Sequence, residues 1–412
     1  MMPSNSIIPK HQTSNLKKVL LKKQVLEVLY KEGDKTIAEL CEVTNNSTPT
    51  LTNIMNELGK AGWVHHSGTG ESKGGRKPAL FGLNSAAGYS MGIELSRKYV
   101  RLGLFDLHNN SVGEIFEINE GLDTLDDIFY VLKREVSALL DNLQIKPSQL
   151  LGYGITIPGL INIRKGISYS YPQFENNNLS GFFEELLGAP AFIEHDTKAM
   201  ALGELWFGLA KEKNNVLLIN IGSGIGLGQI INGELYQGHS GFAGEFGHIQ
   251  MIPDGELCYC GKIGCLETIS SGTALVKKAI LALEKGKSSL IAKLVDNRFE
   301  KIKLPVIVQA AMSGDQFAIE LIEEAGEYLA KGMAILIHLF NPEAIIIAGE
   351  MAEANHLITD PVRQKLNKYT MQLLKNDTEI LLTELKEKSG MMGTLPVIFN
   401  QRLPELVEKK RE

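Results

Sequence analysis

The chain has 412 residues, 44% of them apolar and 22% charged, which suits two or three domains with ample cores. No run of about 18 apolar residues interrupts it, so no membrane span is expected. Net charge is −6, but residues 1–80 carry 11 Lys or Arg against 7 Asp or Glu, so a head of +4 precedes a body of −10. Only that head could favour a polyanion. Four cysteines in all, and no apolar segment before the first lysines, indicate a reducing cytoplasm and no secretory signal.

In "NLKKVLLKKQVLEVLYKEG", Leu16, Val19, Leu20, Val25, Leu26, Val28 and Leu29 recur at near-helical spacing and stop at Gly33. "KTIAELCEVTNNSTPTLTNIMNELGKAGWV" reads as a short helix lined by Ile37, Leu40 and Val43, a polar turn, and a helix lined by Leu51, Ile54, Met55 and Leu58. Asn46 or Ser47 can cap the second helix, and Pro49 suits its first turn. Two strand-like segments follow around the basic tip "SKGGRKP". This order predicts a winged helix-turn-helix. Thr48, Thr50, Thr52 and Asn53 would face base edges from the recognition helix. Lys73, Arg76 and Lys77 on the glycine-rich tip suit a narrow, electronegative minor groove.

Beyond residue 84, strands and helices alternate. "GYSMGIELSRKYVRLGLFDLHNN" predicts a hairpin, "LLGYGITIPGLIN" a buried strand, and "APAFIEHDTKAMALGELWFG" a strand running into a helix. "NNVLLINIGSGIGLGQIINGELYQG" predicts another hairpin, and "AIELIEEAGEYLAKGMAILIHLFNPEAIIIAGE" a long helix followed by a buried strand. Repeated strand-turn-strand openings imply a two-lobed α/β body. Polar residues gather where strands end, among them Glu194, His195, Asp196, Glu245, His248 and Glu267. Carboxylates of this kind accept hydrogen bonds from the vicinal hydroxyls of a sugar, although Glu194 alone is better read as a turn residue. "GHIQMIPDGELCYCGKIGCLE" crowds three of the four cysteines behind His248. A disulfide would leave an odd thiol, whereas His248, Cys258, Cys260 and Cys265 make a closed Cys3His shell for one structural Zn2+. Gly261 and Gly264 let so short a loop converge.

The stretches "NIGSGIGLGQIINGELYQGHSGFAGEFGH", "CYCGKIGCLE" and "HDTKAMALGE" resemble the ROK family of repressors, open reading frames and sugar kinases, over residues 85–405. The head with its "GGRKP" tip resembles that of the repressor branch. The resemblance implies an α/β fold class, with a winged helix-turn-helix followed by a two-lobed actin/hexokinase-like (ribonuclease H-like) body. The expected boundaries are 1–84 for the DNA-binding head, 85–195 with roughly 391–412 for the first lobe, and 196–390 for the second lobe with its zinc loop. It also implies that His248, Cys258, Cys260 and Cys265 hold zinc, and that Gly159, Asp196, Glu245, His248 and Glu267 contact sugar. His195 stands where the kinases usually have Asn. The kinases hold ATP phosphates on a D-x-G-G-T turn, replaced here by Glu94, Leu95, Ser96 and Arg97, and a later turn reads "AGE" at 348–350. The expected protein is a non-catalytic, sugar-responsive repressor of carbohydrate-utilisation genes. Its expected partners are operator DNA, a sugar or sugar-phosphate effector, and a second copy in a homodimer or dimer of dimers, with no membrane. The alternatives are an active sugar kinase with an appended head, and a head that binds protein.

Overall fold

The head takes its shape from caps and turns. In the computed structural model, which describes residues 10–70, 77–96, 99–119, 124–163, 165–170 and 178–408, it comprises α1 (Lys10–Glu32), β1 (Lys35–Thr36), α2 (Ile37–Thr44), α3 (Thr48–Lys60), β2 (Val64–Thr69) and β3 (Ala79–Leu83). Thr36 and Glu39 form a reciprocal capping box at the start of α2, and Asn45 ends that helix in the left-handed region at φ 51°. The three strands pair in the order β1-β3-β2, the wing of a winged helix. Leu51, Ile54, Met55 and Leu58 are buried, as their spacing predicts. Val43 is not. It faces solvent, and Thr44 turns inward instead, its hydroxyl donating to Leu40 O at 2.6 Å. Leu16 and Leu20 of α1 also point outward.

Two five-stranded sheets follow. The first uses β4 (Tyr89–Leu95), β5 (Val100–Phe105), β6 (Phe116–Ile118), β7 (Leu150–Ile157) and β10 (Ala191–His195), with α4 (Leu125–Asn142) and α5 (Leu179–Leu187) between strands and β8 (Ile161–Asn162) paired to β9 (Ile167–Ser168) apart from it. The second uses β11 (Val216–Ile221), β12 (Ile225–Ile231), β13 (Glu234–Leu235), β14 (Ala344–Ala348) and β15 (Glu379–Leu382). Their strand orders are β10-β7-β4-β5-β6 and β13-β12-β11-β14-β15. In each, three successive strands form an antiparallel meander, and two later strands extend the sheet from the first strand of the meander. The same plan used twice is the duplicated α/β architecture the sequence implies.

The second sheet is covered by α7 (Glu267–Ser270), α8 (Gly272–Glu284), α9 (Leu290–Leu294), α10 (Leu304–Met312), α11 (Gln316–Phe340), α12 (His356–Tyr369) and α13 (Gln372–Asp377) on one side. α6 (Asp196–Phe207) lies against its other side. Asp315 caps α11 through Ala318 N, and Asn341 closes it at φ 42°. Every residue of β14 is buried, as expected for a strand covered on both faces. The chain divides into two compact units: Met1–Ile155 with Ser180–Ile193 and Thr394–Glu412, and Thr156–Leu179 with Glu194–Gly393. No helix among the described residues is long and apolar enough to cross a membrane.

Within the second unit α6 sits almost in backbone contact with its neighbours. A Cβ added at Gly228 would stand 2.9 Å from Thr197 O, and one at Gly393, near the start of α14 (Ser389–Glu408), 1.6 Å from Ala199 O. Gly393→Ala should therefore lower unfolding free energy by at least about 1–3 kcal/mol, read from urea melts. An unchanged midpoint would show that the close approach is dispensable.

Candidate functional site

His248 ends a short 3-10 turn, Phe246–His248, and the cysteine loop folds back beneath it. Cys258 N donates to Lys262 O at 2.7 Å and Gly264 N to Glu256 O at 2.8 Å, while Met251 N and Leu266 N tie the flanks together at 2.7 and 2.9 Å. Gly264 has φ 68°, and any Cβ there would meet Ile252 O at 1.7 Å, so this position admits glycine alone. The ligand atoms of His248, Cys258, Cys260 and Cys265 all lie within 4.8 Å of one another. Cys258 Sγ is 3.6 Å from His248 Nδ1, and Cys260 Sγ is 3.7 Å from Cys265 Sγ. Tetrahedral bonds to a zinc ion give edges of about 3.6 Å for S···N and about 3.8 Å for S···S. The donor set and its spacing fit such an ion. Burial pushes the Cys265 thiol up to about 12, a cost that a bound cation reverses by stabilising the thiolate.

The carboxylates stand nearby. Glu267 opens α7, and its Oε2 accepts from Ile225 N at 2.9 Å at the start of β12. Burial raises its carboxyl above the usual range. The other ring nitrogen of His248, Nε2, is 3.8 Å from Glu245 Oε2 and 3.2 Å from the Tyr259 hydroxyl. One imidazole thus serves the cysteine cluster with Nδ1 and turns Nε2 toward Glu245. Asp196 begins α6, where the helix dipole favours its charge, and lies 3.1 Å from His195 Nδ1. Gly159, His195 and Glu245 line one narrow cavity together with Leu160, Gly241 and Lys198. Lys198 and Glu194 have no part in the expected site apart from the turn role given to Glu194, yet both are buried. Burial lowers the Lys198 ammonium against the pull of Glu194 and Glu245, and raises the Glu194 carboxyl. Neither burial was readable from spacing, because each depends on a loop some forty residues away.

In the head, Thr48, Thr50, Thr52 and Asn53 are all exposed along α3. Thr52 Oγ1 donates back to Thr48 O at 2.8 Å, and the Thr50 hydroxyl lies 2.9 Å from that of Ser47. Ser47 occupies the cap position, where its carbonyl accepts from Leu51 N at 3.0 Å but its side chain makes no capping bond. A groove beside α3 is lined by Asn46 and Asn53 together with Lys17, Lys18 and Lys60, basic residues on α1 and α3 that motif reading left out. Lys77 is exposed, whereas Lys73 and Arg76 lie outside the described residues.

Glu94 stands across from Arg101 in the β4–β5 hairpin. It accepts from the Tyr99 hydroxyl at 2.6 Å and from Arg101 Nη1 at 3.0 Å, and Arg101 continues to Glu117 through Nε at 3.1 Å. Ser96 N closes the turn on Tyr99 O at 2.9 Å, Leu95 is buried, and Arg97 lies outside the described residues.

Residues 90–400 match the ROK family, and residues 20–65 match a winged helix-turn-helix DNA-binding family. The chain belongs to the ROK family. It is 30% identical over 385 residues to the xylose repressor of Bacillus spizizenii, covering 92% of this chain and 95% of that one. It is 29% identical over 380 residues to the DNA-binding transcriptional dual regulator NagC of Escherichia coli K12, covering 92% of each. Among solved structures, a ROK family transcriptional regulator described as a homologue of the E. coli MLC protein superposes with TM-score 0.77 at 27% identity, over 95% of this chain and 98% of that one. A ROK glucokinase from Streptomyces griseus, solved with glucose and AMPPNP, superposes with TM-score 0.67 at 27% identity, over 75% of this chain and 99% of its own.

Because burial holds the Glu194 carboxyl above its ordinary 4.5, the unfolded chain loses this proton first as pH rises. Glu194 therefore costs stability from about 4.5 upward through its folded value. Glu194→Gln should flatten the decline in urea midpoint on that alkaline side. An identical pH profile in the variant would count against a strained carboxylate.

Proposed function

We propose that this protein is a sugar-responsive, DNA-binding transcription regulator, a repressor of carbohydrate-utilisation genes acting in the cytoplasm. The observation that carries the reading is that one chain joins a winged helix-turn-helix to a ROK body in the same order as regulators matched over 92% of its length. The boundaries 1–84, 85–195 with roughly 391–412, and 196–390 divide it into head and two lobes. Thr48, Thr50, Thr52 and Asn53 would address the major groove, and Lys73, Arg76 and Lys77 the minor groove. A homodimer would set two heads on a two-fold axis to match a palindromic operator.

Gly159, His195, Asp196, Glu245, His248 and Glu267 would bind the sugar, with carboxylates accepting from its hydroxyls. His248, Cys258, Cys260 and Cys265 would hold one structural zinc, which supplies cross-linking rather than chemistry. The Glu94 pairing supports the absence of kinase activity. A carboxylate bonded to Tyr99 and Arg101 and followed by the side chains of Leu95 and Ser96 would crowd a backbone cradle for phosphate. The regulatory step is linkage. A sugar that prefers one arrangement of the body alters DNA affinity by the same factor as DNA alters sugar affinity.

Two measurements test this. In gel shifts with its own promoter region, Arg76→Ala should weaken binding, more so where the flanks are A·T-rich, and the cognate sugar should change the affinity of the unmodified protein. Binding indifferent to sugar, and unaffected by the substitution, would overturn the assignment. Metal analysis of protein purified without chelator should find about one Zn2+ per chain, lost in Cys260→Ser together with the sugar response. Folded, sugar-binding protein without zinc would remove the metal from the account.

A further inference from the structure

Lys198 is 4% exposed, although a lysine is almost never buried without a partner. It stands in the first turn of α6, two residues after Asp196. Its ammonium donates to Gly241 O and, at 3.5 Å, to Gln237 Oε1. Gln237 Nε2 in turn donates to Glu194 Oε2 at 3.3 Å, and Glu194 is itself only 5% exposed. A buried polar chain therefore runs from Glu194 at the end of β10, through Gln237 and Lys198, to the carbonyl of Gly241.

The segment this chain grips is irregular, turning at glycines with little backbone bonding of its own. Between Tyr236 and Glu245 the backbone has positive φ at Gly238, Gly241 and Gly244, 70°, 86° and 101°. Its own backbone bonds are few: Tyr236 N to Gln229 O at 2.8 Å, Ala243 N to Gln237 O at 3.3 Å, and Phe246 N to Gly244 O at 2.7 Å. The segment ends at Glu245, and Lys198 ties its middle to the helix that begins at Asp196. We infer that Lys198 is the positioning residue that fixes Glu245 relative to Asp196, and that, with its ammonium committed to Gly241 and Gln237, the cavity takes an uncharged sugar and rejects the phosphate ester. This rests on the reading of the cavity as the sugar site.

Charge selects the class of ligand. Glu194 and Glu245 both face the Lys198 ammonium, and Asp196 lies on the same helix turn. Lys198 is the only Lys or Arg among the described residues lining the cavity, and it is already bonded. A phosphate brings about 1.5 to 2 negative charges at pH 7 toward Glu245 in the lining and Glu194 and Asp196 behind it, with Lys198 already committed elsewhere. A sugar brings hydroxyl donors, which those carboxylates accept.

The test uses the full-length protein and calorimetry with D-xylose, D-glucose, N-acetylglucosamine and the 6-phosphates of the two hexoses. One or more of the uncharged sugars should bind, and a 6-phosphate should bind at least about a hundredfold more weakly than its parent sugar or not at all. Lys198→Met should weaken the bound sugar by about tenfold or more, the scale of a lost charge-assisted hydrogen bond. A merely structural role is separated by Glu194→Gln with Lys198→Met, which removes the stranded carboxylate. That double variant should recover melting temperature without recovering affinity, and it supplies the same comparison if Lys198→Met alone does not fold. Affinity that returns with stability would overturn the positioning role. A 6-phosphate that binds as tightly as its parent sugar would overturn the ligand class. Binding of neither class would fell the sugar reading of the cavity, and this assignment with it.

Discussion

The candidate site depends on how closely α6 can lie on the chain around it. Its polar start, with His195, Asp196 and Lys198, is held in place by a body with almost no room between backbones. Gly226 and Gly228 of β12 face Thr197 and Ala201, and Gly203 faces Ser389 O, which a Cβ there would approach to 2.5 Å. Interiors packed this densely transmit small displacements instead of absorbing them. Even the far end of the helix is fastened from within, since Glu204 accepts from Leu209 N at 2.8 Å and from the Thr383 hydroxyl.

From that fixed helix the remaining parts follow in order. β12 lies on α6, and its first amide is taken by Glu267, so the strand and the carboxylate locate each other. Glu267 follows Cys265 by two residues, so closing the cysteine loop also places the carboxylate. His248 links the cysteine cluster to Glu245 through its opposite ring nitrogens. Lys198 completes the arrangement from the other side by holding the segment that ends at Glu245. Cysteine loop, helix start and glycine-rich segment thus each set one carboxylate: Glu267, Asp196 and Glu245.

Within the first unit the head is joined to the sheet that follows it by more than its linker. The Tyr30 ring of α1 stacks on Phe399 of α14 with centroids 4.0 Å apart and planes 8° from parallel, and its buried hydroxyl donates to Asn109. His108 Nε2 lies 2.7 Å from Leu83 O at the end of the wing, and Asn84 reaches back to Gly62 O at 3.1 Å. Stacked aromatics and paired backbone groups at such a junction make the head a packed part of its unit and not a module on a free tether.

Local order was written in the sequence. The alternation of strands and helices, the inward face of α3 and the convergence of His248 with three cysteines follow from periodicity and ligand spacing, which need only neighbouring residues. The ROK motifs added the carboxylates to that set. What the sequence left open was decided by partners far along the chain. Val43 shares the spacing of Leu40, yet it faces solvent because the small head core closes over Thr44 instead. Glu94 reads as an altered phosphate turn, but its bonds to Tyr99 and Arg101 appear only once the hairpin registers them. Lys198 reads as an ordinary helical lysine until Gly241, 43 residues later, folds against it. Spacing reports which face of an element is apolar. It cannot report which distant carbonyl will accept a buried charge, because that bond exists only in the assembled fold.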